Sequence, residues 1–203
     1  MPIGIIINAL SVAVGGVIGM LFGSKVPEKI KTELIQIFGV CSMGMGISSI
    51  VLMKYMPAVV FSVVIGSAIG LATGLGSWVN KGAAMMQKPV ARLFKNQNSD
   101  MPEEEYMGTL VTIIVLFCAS ATGIYGSLDS GISGDHSILI TKSILDFFTA
   151  LIFASNMGMV ISFISIPQCL LFLVIFALAK FIYPLTTPDM IADFKACGGF
   201  LLL

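Results

Sequence analysis

The chain has 203 residues, and 11 Lys+Arg against 11 Asp+Glu leave a formal net charge of +0. Hydrophobic residues make up 57% and charged residues only 11%, where a soluble domain carries about 25%, and the mean hydropathy is +1.00. This composition argues against a soluble domain and points to lipid as the solvent; with no excess of Lys and Arg to displace counterions from phosphates, it also argues against nucleic acid as a partner.

Apolar runs of about 20 residues, enough at ~1.5 Å per residue to cross a ~30 Å hydrocarbon core, recur along the chain. The first covers Ile3 to Phe22, the second Leu34 to Met53 and the third Pro57 to Trp78. The fourth covers Tyr106 to Tyr125, the fifth Ser137 to Met157 and the sixth about Phe163 to Tyr183. A seventh opens at Thr187-Pro188-Asp189 and has too few residues before Leu203 to cross. Two readings stand for it: a truncated chain, or a half-membrane segment. The expected fold is therefore all-α, a polytopic integral membrane helix bundle with six full transmembrane helices plus a truncated seventh. It forms one domain over residues 1–203: spans one to three in 1–79, a cytoplasmic amphipathic or linker segment in 80–105, and the remaining spans in 106–203. Met1 to Gly4 carries no side-chain charge and no small-residue cleavage site follows, so the first span is expected to be retained.

Lysine and arginine set the orientation, because short basic loops resist translocation. Lys25, Lys29 and Lys31 follow span one, and Lys81, Lys88, Arg92 and Lys95 follow span three. Six crossings put both loops on one side, and the loop from Leu128 to His136, with Asp129 and Asp135 and no Lys or Arg, on the other. The basic loops are then cytoplasmic and the N-terminus outside. Within Val79 to Gln97, Met85, Met86, Val90, Leu93 and Phe94 recur at helical spacing opposite the basic residues. This suits an amphipathic helix on anionic headgroups, or equally a solvated basic linker interrupted by Pro89. Ser99, Asp100, Pro102 and Glu103-Glu104-Glu105 read as a helix start with acids at the positive end of the dipole.

Small residues are regularly placed. Asn8, Ser11, Gly15 and Gly19 share one face of span one, and Ser62, Gly66, Gly70 and Gly74 repeat every four residues in span three. Lipid gives no hydrophobic drive for helices to associate, so close backbone approach supplies dispersion contacts instead. These faces read as packing seams, within one chain or between copies in a homo-oligomer; a glycine-lined pathway is the functional alternative.

Span five is different. At about 100° per residue, Asp135, Leu139, Lys142, Asp146, Thr149, Phe153 and Asn156 fall within a stripe about 100° wide. Asp146 lies roughly 13 Å into the span, near the midplane, where a carboxylate needs a partner, a proton or a wet cavity. Lys142, one turn away, is the nearest partner. The pair is open to two readings: a structural ion pair that fixes register, or a group that moves an ion, proton or small solute. At the outer end of span four, the run from Cys118 to Gly126, with Ser120, Thr122 and Gly123, weakens the helix. It could line a cavity as discontinuous transporter helices do, or simply lead into a flexible loop.

Other chemistry is poorly represented. His136 is the only histidine and has no ligand at metal spacing, and the four cysteines Cys41, Cys118, Cys169 and Cys197 form no paired framework. No H-E-x-x-H, nucleophile elbow or phosphate-binding loop occurs, so neither an enzyme nor a cofactor is expected. Three stretches look alike: Phe38 to Ile47, Phe117 to Ile124 and, faintly, Ala196 to Gly199. The first and third follow a Pro-acid helix start and would run in opposite directions, as an inverted repeat predicts, although a short Gly-biased match also arises by chance.

The residues Leu116 to Ile124, Gly134-Asp135 with Ser137 to Ile140, Lys142-Ser143 with Leu145 to Ala150, and Pro184 to Pro188 resemble the YqgA family. The likeness extends to the Ile7-Asn8 opening, the loop Val26 to Ile30 and the segment Ala192 to Gly199. The resemblance implies a multi-pass bacterial inner (plasma) membrane protein, and family members continuing past Leu203 imply truncation. It implies no activity. The reading is completed from the residues: permeation of a small solute or ion through a polar path along span five. Asp146 exchanges a proton or cation and Lys142 is its counter-charge; Thr149 and Asn156 extend the track, and Asp135 stands at the outer mouth. The competing reading is a non-transporting scaffold, sensor or assembly partner in which Lys142 and Asp146 are structural.

Overall fold

A computed structural model describes residues 1–93 and 103–203, apart from the side chains of residues 24, 87–93 and 103–104. The helix start at Ser99 to Pro102 and the side chains of Lys88, Val90, Arg92, Leu93, Phe94, Lys95, Glu103 and Glu104 lie outside the described residues. Among the described residues the chain is helical, with no strand. In order, the helices are α1 (Ile3–Phe22), α2 (Glu28–Ile50), α3 (Met56–Ala72), α4 (Leu75–Leu93), α5 (Glu103–Cys118), α6 (Ala121–Ile132), α7 (Ser137–Met157), α8 (Val160–Ile182) and α9 (Pro188–Phe200).

The first and fifth spans coincide with α1 and α7 at both ends. Elsewhere the apolar runs bend or break. Gly74, at φ +62°, takes a conformation that L side chains rarely adopt and separates α3 from α4, and the two helices are inclined by 62°. The fourth span divides at Ala119-Ser120 into α5 and α6, where the Ser120 hydroxyl accepts a hydrogen bond from the Gly123 N–H and caps α6. Five helical stretches are long and apolar enough to cross a membrane, and six if α3 and the first part of α4 are one bent span. The seventh run is α9, 13 residues long, which packs against α2, α3 and α6.

The core forms where α1 lies along α7 and α8. A Cβ added at Gly15 would strike the Phe147 carbonyl, at Gly16 the Ser162 side chain and at Gly19 the Leu151 carbonyl. The glycines therefore let α1 approach the backbone of its neighbours, as the seam reading requires. Around this contact Val12, Phe117, Ala150, Ile161 and Ile164 are closed from the surroundings. The α3 stripe differs, because among the described residues no heavy atom lies within 4 Å of a Cβ placed on Gly66 or Gly70. On α4, Met86 packs on the core while Met85 is 75% exposed, so the two do not share a buried face.

The first and third look-alike stretches meet. A Cβ on Gly46 of α2 would lie 2.7 Å from the Gly199 carbonyl of α9, one on Gly199 would lie 2.5 Å from the Gly46 carbonyl, and Gly198 sits under the ring of Tyr125 of α6, one residue past the second stretch. Glycine lets α2 and α9 pack backbone to backbone at Gly46 and Gly199.

Candidate functional site

Residues i and i+4 on α7 stand one turn apart on the same face, which brings Lys142 to Asp146. The Lys142 Nζ lies 2.7 Å from the Asp146 carboxylate, and both residues are buried. Two amides from other helices complete the group. Asn8 of α1 donates through Nδ2 to Asp146 Oδ2 at 2.8 Å. Gln168 of α8, which follows the helix-interior Pro167, directs Nε2 to three oxygens: Asn8 Oδ1 at 2.9 Å, Asp146 Oδ2 at 3.2 Å and the Phe117 carbonyl at 3.2 Å. Asn8 and Gln168 are fully buried. Three helices thus converge on one carboxylate, with a fourth, α5, joined through Gln168, and the charge-assisted bonds offset the cost of placing it there.

The Phe117 carbonyl belongs to the last turn of α5, immediately before the break. Ser120, Thr122 and Gly123 shape that break. Ser120 caps α6, the Thr122 hydroxyl lies 3.4 Å from that of Ser120, and Gly123 packs against the Phe172 ring where no side chain would fit. The break and the Asp146 group are therefore linked through Gln168.

Thr149 and Asn156 are not in this group. Thr149 donates back to the Leu145 carbonyl of its own helix, as hydroxyls in helices commonly do, and Asn156 is exposed and accepts from Ser155. The hydrogen-bonded group around Asp146 therefore does not extend along the stripe to Thr149 and Asn156. The C-terminal end of α7 meets Lys31 of α2, whose ammonium is buried and reaches Ser155 and Glu28.

At the other end of α7, Gly134 turns the chain at φ +74° and Asp135 accepts from the Ser137 N–H. Asp135 meets Lys195 of α9 at 3.0 Å, and the same ammonium lies 3.1 Å from Asp129 of α6. Hydrogen bonds from Ser137, with the Lys195 ammonium adding to them, hold the Asp135 carboxyl down at about 2. This cluster borders a cavity of about 400 Å³ lined by Ser48, Ser49, Tyr125, Asp129, Asp135 and Lys195 among others; neither Lys142 nor Asp146 lines it. Nearby, Asp193 of α9 accepts from the N–H groups of Lys54 and Tyr55, just before α3. Among the described residues no three His, Cys, Asp or Glu side chains come together as a metal site.

Sequence reasoning placed Asn8 in a packing seam and did not single out Gln168, Asp193 or Lys195. A signal for the amides was present, since a polar side chain well inside an apolar span seeks a polar partner from another helix.

Comparison with known families settles the kinship of this all-helical, amide-bridged bundle. The family model described as protein of unknown function (DUF554) matches residues 3–203. The chain belongs to this family. Among DUF554 relatives, the uncharacterized protein YqgA of Escherichia coli (strain K12) is 45% identical over 203 residues, covering 100% of this chain and 85% of the relative. The uncharacterized membrane protein YdfK of Bacillus subtilis (strain 168) is 25% identical, over 98% of this chain and 82% of the relative. No solved structure matches the chain. The apolar helices and the membrane-protein relative agree that DUF554 membership here means a membrane protein.

Proposed function

We propose that the chain is a carrier or channel-like permeation protein for a small solute or ion in the bacterial inner membrane. It crosses six times, with the N-terminus outside and the basic loops in the cytoplasm. The observation that carries this reading is the group around Asp146. A carboxylate, an ammonium and two amides meet within apolar spans, beside a helix broken at Ala119-Ser120. Broken helices and ionisable groups near the midplane are the parts from which transport sites are made. The arrangement is a closed state: both charges are sealed, and passage requires α7 or α8 to move and open the group to water. Nothing in the reading calls for enzymatic chemistry or a cofactor. An oligomer built on glycine seams would use α3, because the glycines of α1 are already packed inside the chain.

One observation favours the scaffold reading. Both carboxylate oxygens of Asp146 have donors, and the residue is 7% exposed, so the group is also what a purely structural junction would look like. Flux through proteoliposomes separates the two. Purified full chain is reconstituted and challenged with proton, Na⁺, K⁺ and small-solute gradients, alongside Asp146→Asn. The carrier reading expects flux that falls at least about tenfold in a folded Asp146→Asn variant. Undiminished flux in that variant removes Asp146 from the mechanism, and no flux of any kind in the wild type leaves the scaffold.

A further inference from the structure

Three oxygens from three helices crowd one nitrogen. Asn8 Oδ1, Asp146 Oδ2 and the Phe117 carbonyl all lie within 3.2 Å of Gln168 Nε2. An amide nitrogen carries two hydrogens, so the third acceptor has no donor of its own there. At the other end of the same amide, Gln168 Oε1 is buried and has no hydrogen-bond partner among the described residues. A buried polar atom left in this way requires an explanation, and an ion or a second arrangement of the side chain supplies one.

We propose that this junction is a monovalent-cation site of Na⁺ or Li⁺ character, with Asp146 Oδ2, Asn8 Oδ1, the Phe117 carbonyl and Gln168 Oε1 as its ligands. In the closed state the Gln168 NH₂ stands among the three oxygens and keeps the cation out. A half-turn of the amide exchanges its two ends and brings Oε1 among the other three oxygens. Four acceptors facing one point repel unless a cation lies between them. The same rotation carries Nε2 away from the crowd and ends the isolation of Oε1.

The donor set fits the ion. Carboxylate and carbonyl oxygens are hard ligands, and one carboxylate among neutral oxygens matches a single positive charge better than two. The Phe117 carbonyl lies in the last turn of α5, at the negative end of that helix's dipole, and carbonyls at such helix breaks are suited to Na⁺. Lys142, 2.7 Å from the same carboxylate, is the resident cation with which the ion competes. The inference names the substrate class or coupling ion for the carrier reading and rests on that reading for its consequence, but binding is measured without transport.

The test is thermal unfolding of the full chain in nanodiscs, at equal ionic strength, in NaCl, LiCl, KCl or choline chloride. Ligands that bind only the folded state raise the melting temperature in a saturable way. Na⁺ or Li⁺ is expected to raise it by several degrees over choline. Lys142→Met, which removes the competitor, is expected to lower the half-saturating Na⁺ concentration at least about tenfold, and Gln168→Ala to raise it by a similar factor. Should Gln168→Ala not fold, Gln168→Glu and Asn8→Asp keep the oxygen and are expected to tighten binding. Equal melting in all four salts overturns the proposal, as does a Na⁺ effect that none of these substitutions changes. Saturable Na⁺ binding without flux leaves the site and removes the carrier; flux indifferent to the cation leaves the carrier and removes the site.

Discussion

Lys142 meets a carboxylate four residues along its own helix, whereas Lys195 on α9 reaches two carboxylates, Asp129 and Asp135, some sixty residues earlier in the chain. The first cluster is neutral and its side chains are 4% and 10% exposed; the second carries one excess negative charge, and its Asp135 side chain is 41% exposed. Amides close the inner cluster from α1 and α8, while the outer cluster opens on a cavity. The contrast shows where an unpaired charge is intolerable. At Asp146 no water replaces a lost partner, and at Asp135 water does.

The comparison is broken most severely at its inner member. Asp146→Ala leaves the Lys142 ammonium buried without a counter-charge and takes an acceptor from Asn8 and Gln168. The expected loss is about 3–5 kcal/mol, measured by denaturant unfolding of the purified chain. Replacing both charges, in Lys142→Met with Asp146→Leu, is expected to recover most of that loss, because an apolar pair of similar volume leaves no buried charge. If the double variant is as unstable as the single, the amides and not the charges hold the junction together.

The outer cluster gives a smaller effect. Asp129 has a side chain only 1% exposed, one oxygen bonded to Ser133, and the other facing Lys195 without an aligned hydrogen bond. Lys195→Met therefore strands part of a buried carboxylate, at an expected cost of about 1–3 kcal/mol. Adding Asp129→Asn should restore part of it, since the amide needs no counter-charge. A Lys195→Met chain as stable as the wild type would mean that Ser133 alone suffices for Asp129.

What the sequence makes legible divides along the same line. The Lys142–Asp146 pair follows from helical spacing alone, and the limits of α1 and α7 are also legible, because Pro2 and Gly23 flank the first apolar run and His136 and Gly158 the fifth. Long-range partners do not follow. Nothing local to Lys195 tells it which carboxylate it meets, and Asn8 and Gln168, 160 residues apart, read separately as ordinary polar residues in two apolar runs. The glycine stripes teach the same lesson. Spacing of four says that a helix can be approached closely, yet α1 is packed on α7 and α8 while Gly66 and Gly70 of α3 meet nothing within the described residues. Periodicity puts Thr149 on the polar face of α7 but does not register that its hydroxyl bonds back to the Leu145 carbonyl of its own helix.

The smallest effect is at Asp135, and it sharpens the comparison through pH. Its carboxyl is lowered from 3.8 to about 2, by the hydrogen bonds from Ser137 first and by Lys195 after them. A group whose folded value lies below its unfolded one contributes stability that is complete above the unfolded value and is lost as the pH falls through the folded one. Melting temperatures of wild type and Asp135→Asn are therefore expected to differ at about pH 5 and to converge toward about pH 2, with the wild type losing its advantage between roughly pH 4 and pH 2. Because the side chain is partly solvated, the gap at about pH 5 should be smaller than that produced by Lys195→Met. Parallel curves across this range would show that the Asp135 contacts do not persist in solution, and would leave Asp129 as the only carboxylate that the α9 lysine secures.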